Sequence, residues 1–191
     1  MTIPDTTTPT GTTPDAGTRA GTVQVYRVYI KATAERIWAA ITDPEWNQRY
    51  GYGAPGVFDL RPGGRFASTP SDEMREASTR MGWPLPEVIV DGEVVESDPP
   101  HRLVHTWRML MDPSTAAEPF TRLTYDIHQG DNGVCRLTLT HELADAPRTA
   151  EMVGGADQTS AANGGGGWPW VLSDLKSLLE TGSGFASGAT S

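Results

Sequence analysis

Trp168, Val171, Leu172, Leu175, Leu178 and Leu179 fall at i, i+3, i+4, i+7, i+10 and i+11, and the rest of the chain has to accommodate that stripe. The spacing predicts one amphipathic helix from about 168 to 180, with Pro169 suited to its first turn. Such a helix persists only if its apolar face is covered, and the segments that precede it read mainly as strands. Val23 to Lys31 alternates in a β-rich run. Val57–Leu60 and Arg65–Ser68 flank the turn Arg61-Pro62-Gly63-Gly64, and Val88–Ser97 reads as a longer strand. Arg102–Met111 sets Leu103, His105, Trp107, Met109 and Met111 on one face. Phe120–Gln129 does the same with Leu123, Tyr125 and Ile127, and Val134–Glu142 with Cys135, Leu137, Leu139 and His141. Gly130-Asp131-Asn132-Gly133 turns the hairpin between those two.

Between the first and second strands lie two short helical patterns. Thr33 can cap the first, whose stripe is Ile37, Trp38 and Ile41, and Asp43-Pro44 restarts the chain into the second. The expected fold is therefore α+β: a curved antiparallel sheet wrapped around a long C-terminal helix, with two short helices after the first strand. A sheet curled around one helix leaves a pocket between them, and such pockets bind small molecules.

Residues 1–22 are rich in threonine and proline and hold too little apolar surface to offset ordering entropy, so they read as a disordered tail. Residues 183–191 read the same way, which leaves one domain over 23–181. The segments 69–87 and 143–166 read as long, polar connections near the pocket mouth. Within 69–87, Met74, Ala77, Ser78 and Met81 lie at helical spacing; lid and solvated loop both remain open.

The net charge of −9, with lysine only at 31 and 176, repels phosphate backbones and argues against nucleic acid. No apolar run reaches the roughly 20 residues needed to span a bilayer, and the N-terminus lacks a signal-peptide pattern. With Cys135 as the single cysteine, these features lead us to expect a cytoplasmic protein, monomeric or weakly dimeric.

Metal-ligand spacing is absent around His101, His105, His128, His141 and Cys135, and no phosphate loop, dinucleotide fingerprint or nucleophile elbow occurs. No metal and no cofactor are expected. Tyr125 and His141 are the inward polar residues able to serve acid–base catalysis, although both also suit a purely structural hydrogen-bonding role. The ligand-binding set draws His105, Trp107, Met109, Tyr125 and His141 from strands, and Trp38, Trp168 and Val171 from helices. Met81 and Trp83 from the inserted segment complete it.

The stretches IKATAERIWAAITDPEWNQRY (30–50), DLRPGGRF (59–66), DGEVVESDPPHRLVHTW (91–107), LTLTHE (137–142) and GWPWVLSDLKSLLE (167–180) occur in the order found in one superfamily. Together they resemble the START and birch-pollen-allergen-like helix-grip superfamily, SRPBCC. The branch they resemble is the one named for activators of the ninety-kilodalton heat-shock protein ATPase. The Gly-Trp-Pro start of the last helix resembles bacterial enediyne self-resistance members, which are cleaved by the antibiotic they intercept. The resemblance implies a helix-grip fold and one of three functions. These are capture of an apolar, polyketide-like molecule for antibiotic self-resistance, cyclase or aromatase activity, and a co-chaperone-like interaction. In the first, no turnover occurs beyond a single self-sacrificing event.

The run Gly164, Gly165, Gly166 and Gly167 directly precedes the long helix. As a hinge it lets the helix start shift when ligand enters. As a sacrificial site it offers unhindered α-carbons, whose radicals the flanking peptide groups stabilise.

Overall fold

The structure, a computed structural model, describes residues 23–155 and 166–185. The N-terminal tail to residue 22 and the end of the chain from 186 lie outside the described residues, as do Gly164 and Gly165.

Strand β1 (Val23–Ile30) leads into helices α1 (Ala34–Thr42) and α2 (Pro44–Asn47). As expected, the Thr33 side chain accepts the Arg36 amide at 3.3 Å and Asp43 accepts that of Glu45 at 2.9 Å. Strands β2 (Gly56–Phe58) and β3 (Arg65–Ser68) follow, then helix α3 (Asp72–Arg80). Next come β4 (Val90–Asp98), β5 (Arg102–Met109), helix α4 (Pro113–Ala116), β6 (Thr121–Gln129) and β7 (Cys135–Glu142). Helices α5 (Pro147–Gly154) and α6 (Gly167–Thr181) close the fold.

The seven strands form one antiparallel sheet in the order β1-β7-β6-β5-β4-β3-β2. Pairing of Leu123 with His141 and of Tyr125 with Leu139 puts the inward faces of β6 and β7 in register. A register shift between Val94 and Glu96 breaks the β4–β5 ladder, the kind of irregularity that bends a sheet. Helix α6 buries Leu172, Leu175 and Leu179 in the same core as Ile30, Ile37, Leu123, Leu137 and Leu139. This is the α+β helix-grip arrangement expected from the stripe.

The structure adds detail in three places. The connection 143–166 is not polar loop throughout, because α5 occupies Pro147–Gly154. Its N-terminus is capped from a distance: the Glu118 carboxylate accepts the amides of Arg148 (2.7 Å) and Thr149 (2.9 Å) and the Thr149 hydroxyl (2.7 Å). The insertion 69–87 contains α3, capped by Ser71, whose hydroxyl accepts the Met74 amide at 3.2 Å. The tail expected from 183 still packs through Phe185. Its amide donates to Asp174 at 2.5 Å, and its ring meets Trp170 edge-on at 4.8 Å.

Candidate functional site

A cavity of about 370 Å³ lies between the start of α6 and the sheet from β2 to β6, with α3 and α5 at its flanks. Its wall includes His105, Trp107, Met109, Tyr125, Trp168 and Val171. Strand parity places the first four, since residues at alternate positions of β5 and β6 face the helix. Four residues proposed from sequence lie off this wall. Trp38 is half-buried on α1 and packs against the core outside the cavity. Met81 is the C-cap of α3, beyond its last turn, and is 75% exposed. Trp83 is 62% exposed, its carbonyl held by the Ser78 hydroxyl while the ring points outward. His141 sits one layer back, edge-on to Trp107 at 5.4 Å and to Trp168 at 5.9 Å.

His141 is fully buried and both its ring nitrogens are engaged. The Trp168 indole N–H donates to its Nδ1 at 3.1 Å. Nδ1 therefore carries the lone pair, and Nε2–H donates to Thr121 Oγ1 at 2.7 Å. The Thr121 hydroxyl in turn donates to the Trp107 carbonyl at 2.8 Å. This relay ties the first turn of α6 to β7, β6 and β5, and requires a neutral ring. Burial pushes the His141 pKa down to about 3, with neighbouring His105 adding to the effect.

His105 is also buried, and burial pushes its pKa down to about 4 against the opposing pull of the Thr106 carbonyl. Its Nδ1 lies 2.9 Å from that carbonyl. Its ring stacks near Tyr125 at 6.1 Å and meets Phe58 and Phe66 edge-on at 5.3 and 4.5 Å. Burial, with a contribution from Tyr50, raises the pKa of the Tyr125 phenol, so it stays protonated. Among the described residues no cluster of His, Cys, Asp and Glu is arranged to hold a metal.

At Gly167 the need for glycine is plain. Its φ is +65°, and its amide donates to the Tyr52 hydroxyl at 2.9 Å. A Cβ there would overlap the Val153 carbonyl and sit 2.6 Å from the Gly155 amide nitrogen. The backbone of α6 thus starts in close contact with the end of α5. Gly167→Ala is expected to destabilise the fold by about 1–3 kcal/mol and to shift Met152 and Val153 at the cavity flank. Denaturant unfolding together with amide shifts at 152–155 measures this; a loss within a few tenths of a kcal/mol would refute the close-approach account.

A family profile described as Activator of Hsp90 ATPase homolog 1-like protein matches residues 31–180. The chain belongs to this family. Among solved structures, it resembles CalU16 from Micromonospora echinospora at 18% identity and a TM-score of 0.58, covering 86% of this chain and 78% of that one. It resembles protein MLL2253 from Mesorhizobium loti at 22% identity and a TM-score of 0.56, covering 82% and 96%. It also resembles PFC0360w, an Hsp90 activator from Plasmodium falciparum, at 16% identity and a TM-score of 0.50, covering 76% and 98%. At these identities the likeness concerns the fold. No curated protein matches the sequence. Among the described residues no helix is long and apolar enough to cross a membrane.

In this Activator of Hsp90 ATPase homolog 1-like chain, several wall residues went unnamed in the sequence. Tyr50 follows α2, Phe58 and Phe66 come from β2 and β3, and Met152 and Val153 from α5. Phe66 was open to parity reasoning on Arg65–Ser68. Met152 and Val153 were not, because their helix is capped by a residue thirty positions upstream.

Proposed function

We propose that the protein binds an apolar, polyketide-like small molecule in this cavity and sequesters it without transforming it. The observation that carries the reading is the cavity itself: about 370 Å³, walled mainly by aromatic, methionine and aliphatic side chains. That volume suits a fused-ring molecule. Acid–base catalysis finds little support on the wall. His141 has both nitrogens committed to the Trp168–Thr121 relay, and His105 is a weak base. Antibiotic self-resistance by enediyne capture is the biological setting that fits this chemistry, with Gly167 on the cavity wall and the glycine run that it ends as hinge or sacrificial donor.

Polycyclic aromatic ligands are expected to quench tryptophan fluorescence and to shift amide signals around Trp107, Tyr125 and Trp168. Trp168→Ala removes one wall and the indole donor to His141, and is expected to weaken binding by about tenfold. Tyr125→Phe is expected to change affinity modestly. A cyclisation rate that vanishes in Tyr125→Phe while ligand still binds would replace sequestration with catalysis.

A further inference from the structure

We propose that the cavity takes a neutral ring system bearing carbonyl oxygens, held by hydrogen bonds that the Tyr125 hydroxyl and the Trp107 indole N–H donate to those oxygens. The inference rests on the ligand-binding reading above and names the chemistry of the same site.

The polar side chains of the wall fall into two sets. One set is committed within the protein. The Asn47 amide donates to the Gly56 carbonyl at 2.8 Å while its oxygen accepts the Gly56 amide at 2.9 Å. The Tyr50 hydroxyl donates to the Ala40 carbonyl at 3.2 Å, and the Trp168 indole N–H is taken by His141. At the mouth the Tyr52 hydroxyl accepts the Gly167 amide.

The other set has no partner. The Trp107 indole N–H, the Tyr125 hydroxyl and the Ser68 hydroxyl all belong to wall residues, and none makes a hydrogen bond among the described residues. Nor are they sealed off. The described side-chain polar atoms that are both unpaired and shut off from solvent are Ser97 Oγ and His105 Nε2, so these three keep accessible surface. For Trp107 and Tyr125 that surface is cavity surface. Both stand on the inner faces of β5 and β6, interior strands paired on both sides. Tyr125 is half-buried between Leu123 and Ile127, which are closed over on the same face. Open space meets such side chains only where they line the cavity.

The chemistry of the unpaired set defines the occupant. An indole N–H can only donate, and a phenol held protonated is a strong donor. All three groups can donate, and the one acceptor-only atom left unpaired, His105 Nε2, is out of reach. A hydrocarbon leaves these donors unsatisfied, whereas carbonyl oxygens pair with them. No Lys, Arg, Asp or Glu among the described residues lines the cavity, so an ionised ligand finds no counter-charge there. A neutral ketone or quinone fits, its rings packed against Met109, Trp168 and Val171.

The test compares 1-tetralone with tetralin by NMR titration of the full chain. The two share one carbon skeleton and differ by a carbonyl in place of a methylene. An apolar wall without donors would hold tetralin on the order of tenfold tighter, because the ketone gives up its hydration on entry. The expected result is that 1-tetralone binds at least as tightly as tetralin. Its ¹³C-labelled carbonyl resonance, held downfield by hydrogen bonds in water, is expected to stay downfield when bound; this readout needs no variant. Tyr125→Phe and Trp107→Phe are then compared through the ratio of 1-tetralone to tetralin affinity, in which lost packing cancels. At least one of them is expected to lower that ratio about fivefold. A roughly tenfold preference of the wild type for tetralin, an upfield move of the bound carbonyl, or a ratio unchanged in both variants would overturn the inference and leave cavity binding intact. If neither probe binds, the ligand-binding reading falls and this inference falls with it.

Discussion

Lowering the pH from 6.5 to 5 is expected to remove about 2–4 kcal/mol of folding stability. Two histidines carry the effect. An unfolded chain protonates both with a pKa near 6.5, whereas the folded protein holds them neutral down to about 4 at His105 and about 3 at His141. Between those limits the unfolded state binds protons that the folded state refuses, so stability rises with pH and is lost as pH falls. The contribution is complete above pH 6.5. Each pH unit below it costs up to about 1.4 kcal/mol per ring, so two rings over one and a half units give the stated range once imperfect burial is allowed for. Glu35, Asp112 and Glu180 have their pKa values lowered by hydrogen bonds, so they add a stability loss of the same sign, most of which falls below this window as pH drops through the unfolded carboxylate range.

The physical origin differs between the two rings. At His141 a second proton on Nδ1 would face the Trp168 indole N–H, turning a hydrogen bond into a clash of donors. Acid should therefore also loosen the first turn of α6. At His105 the penalty is desolvation alone, since Nδ1 already carries its hydrogen toward Thr106. Urea midpoints at pH 6.5, 5.75 and 5, with the imidazole Cε1–H shifts followed by NMR, check both statements. Either ring titrating near 6.5 in the folded protein, or a flat stability profile across the window, would sink the account.

The sequence made the inward faces of the strands legible because a two-residue period leaves little freedom. Once Leu103 and Trp107 face the helix, His105 must as well. The same parity placed His141 inward but left its layer undetermined. That depends on Trp168 and Trp107 standing in front of it, which is a matter of packing. Trp83 shows the opposite failure. Its size suggested burial, but the turn that holds its carbonyl to Ser78 sends the ring outward.

Asp174 was equally hidden. Between Ser173 and Leu175 it reads as a solvated charge, yet it is fully buried. Its carboxylate accepts the Gly51 amide at 2.8 Å, from 123 positions upstream, and the Phe185 amide at 2.5 Å. No local pattern encodes partners that far apart. The glycine run was half legible: its place before the helix suggested a hinge or a sacrificial site, and nothing local pointed to a close approach. It took the positions of Val153 and Gly155 to show that this is what Gly167 serves.

Leu175→Ala is expected to cost about 2–5 kcal/mol, a large share of the margin of a domain this size. Leu175 is 1% exposed and belongs to the core that joins α6 to the sheet, with Ile30, Leu137 and Leu139 among its members. Removing three heavy atoms there takes away their transfer free energy and leaves a void. The void should not close easily, because α6 is pinned at its start by the Trp168–His141 bond and the Tyr52–Gly167 bond, and further along by Asp174. Pinned backbones relax little, which favours the upper half of the range. Val171, one turn earlier, is the internal control. It lines the cavity, so Val171→Ala enlarges a space that already exists and should cost clearly less. The two variants thus separate core from cavity wall on a single helix: the first lowers the denaturation midpoint strongly with little specific effect on ligand affinity, and the second does the reverse. A loss below about half a kcal/mol for Leu175→Ala would mean that the helix does not bury its stripe against the sheet.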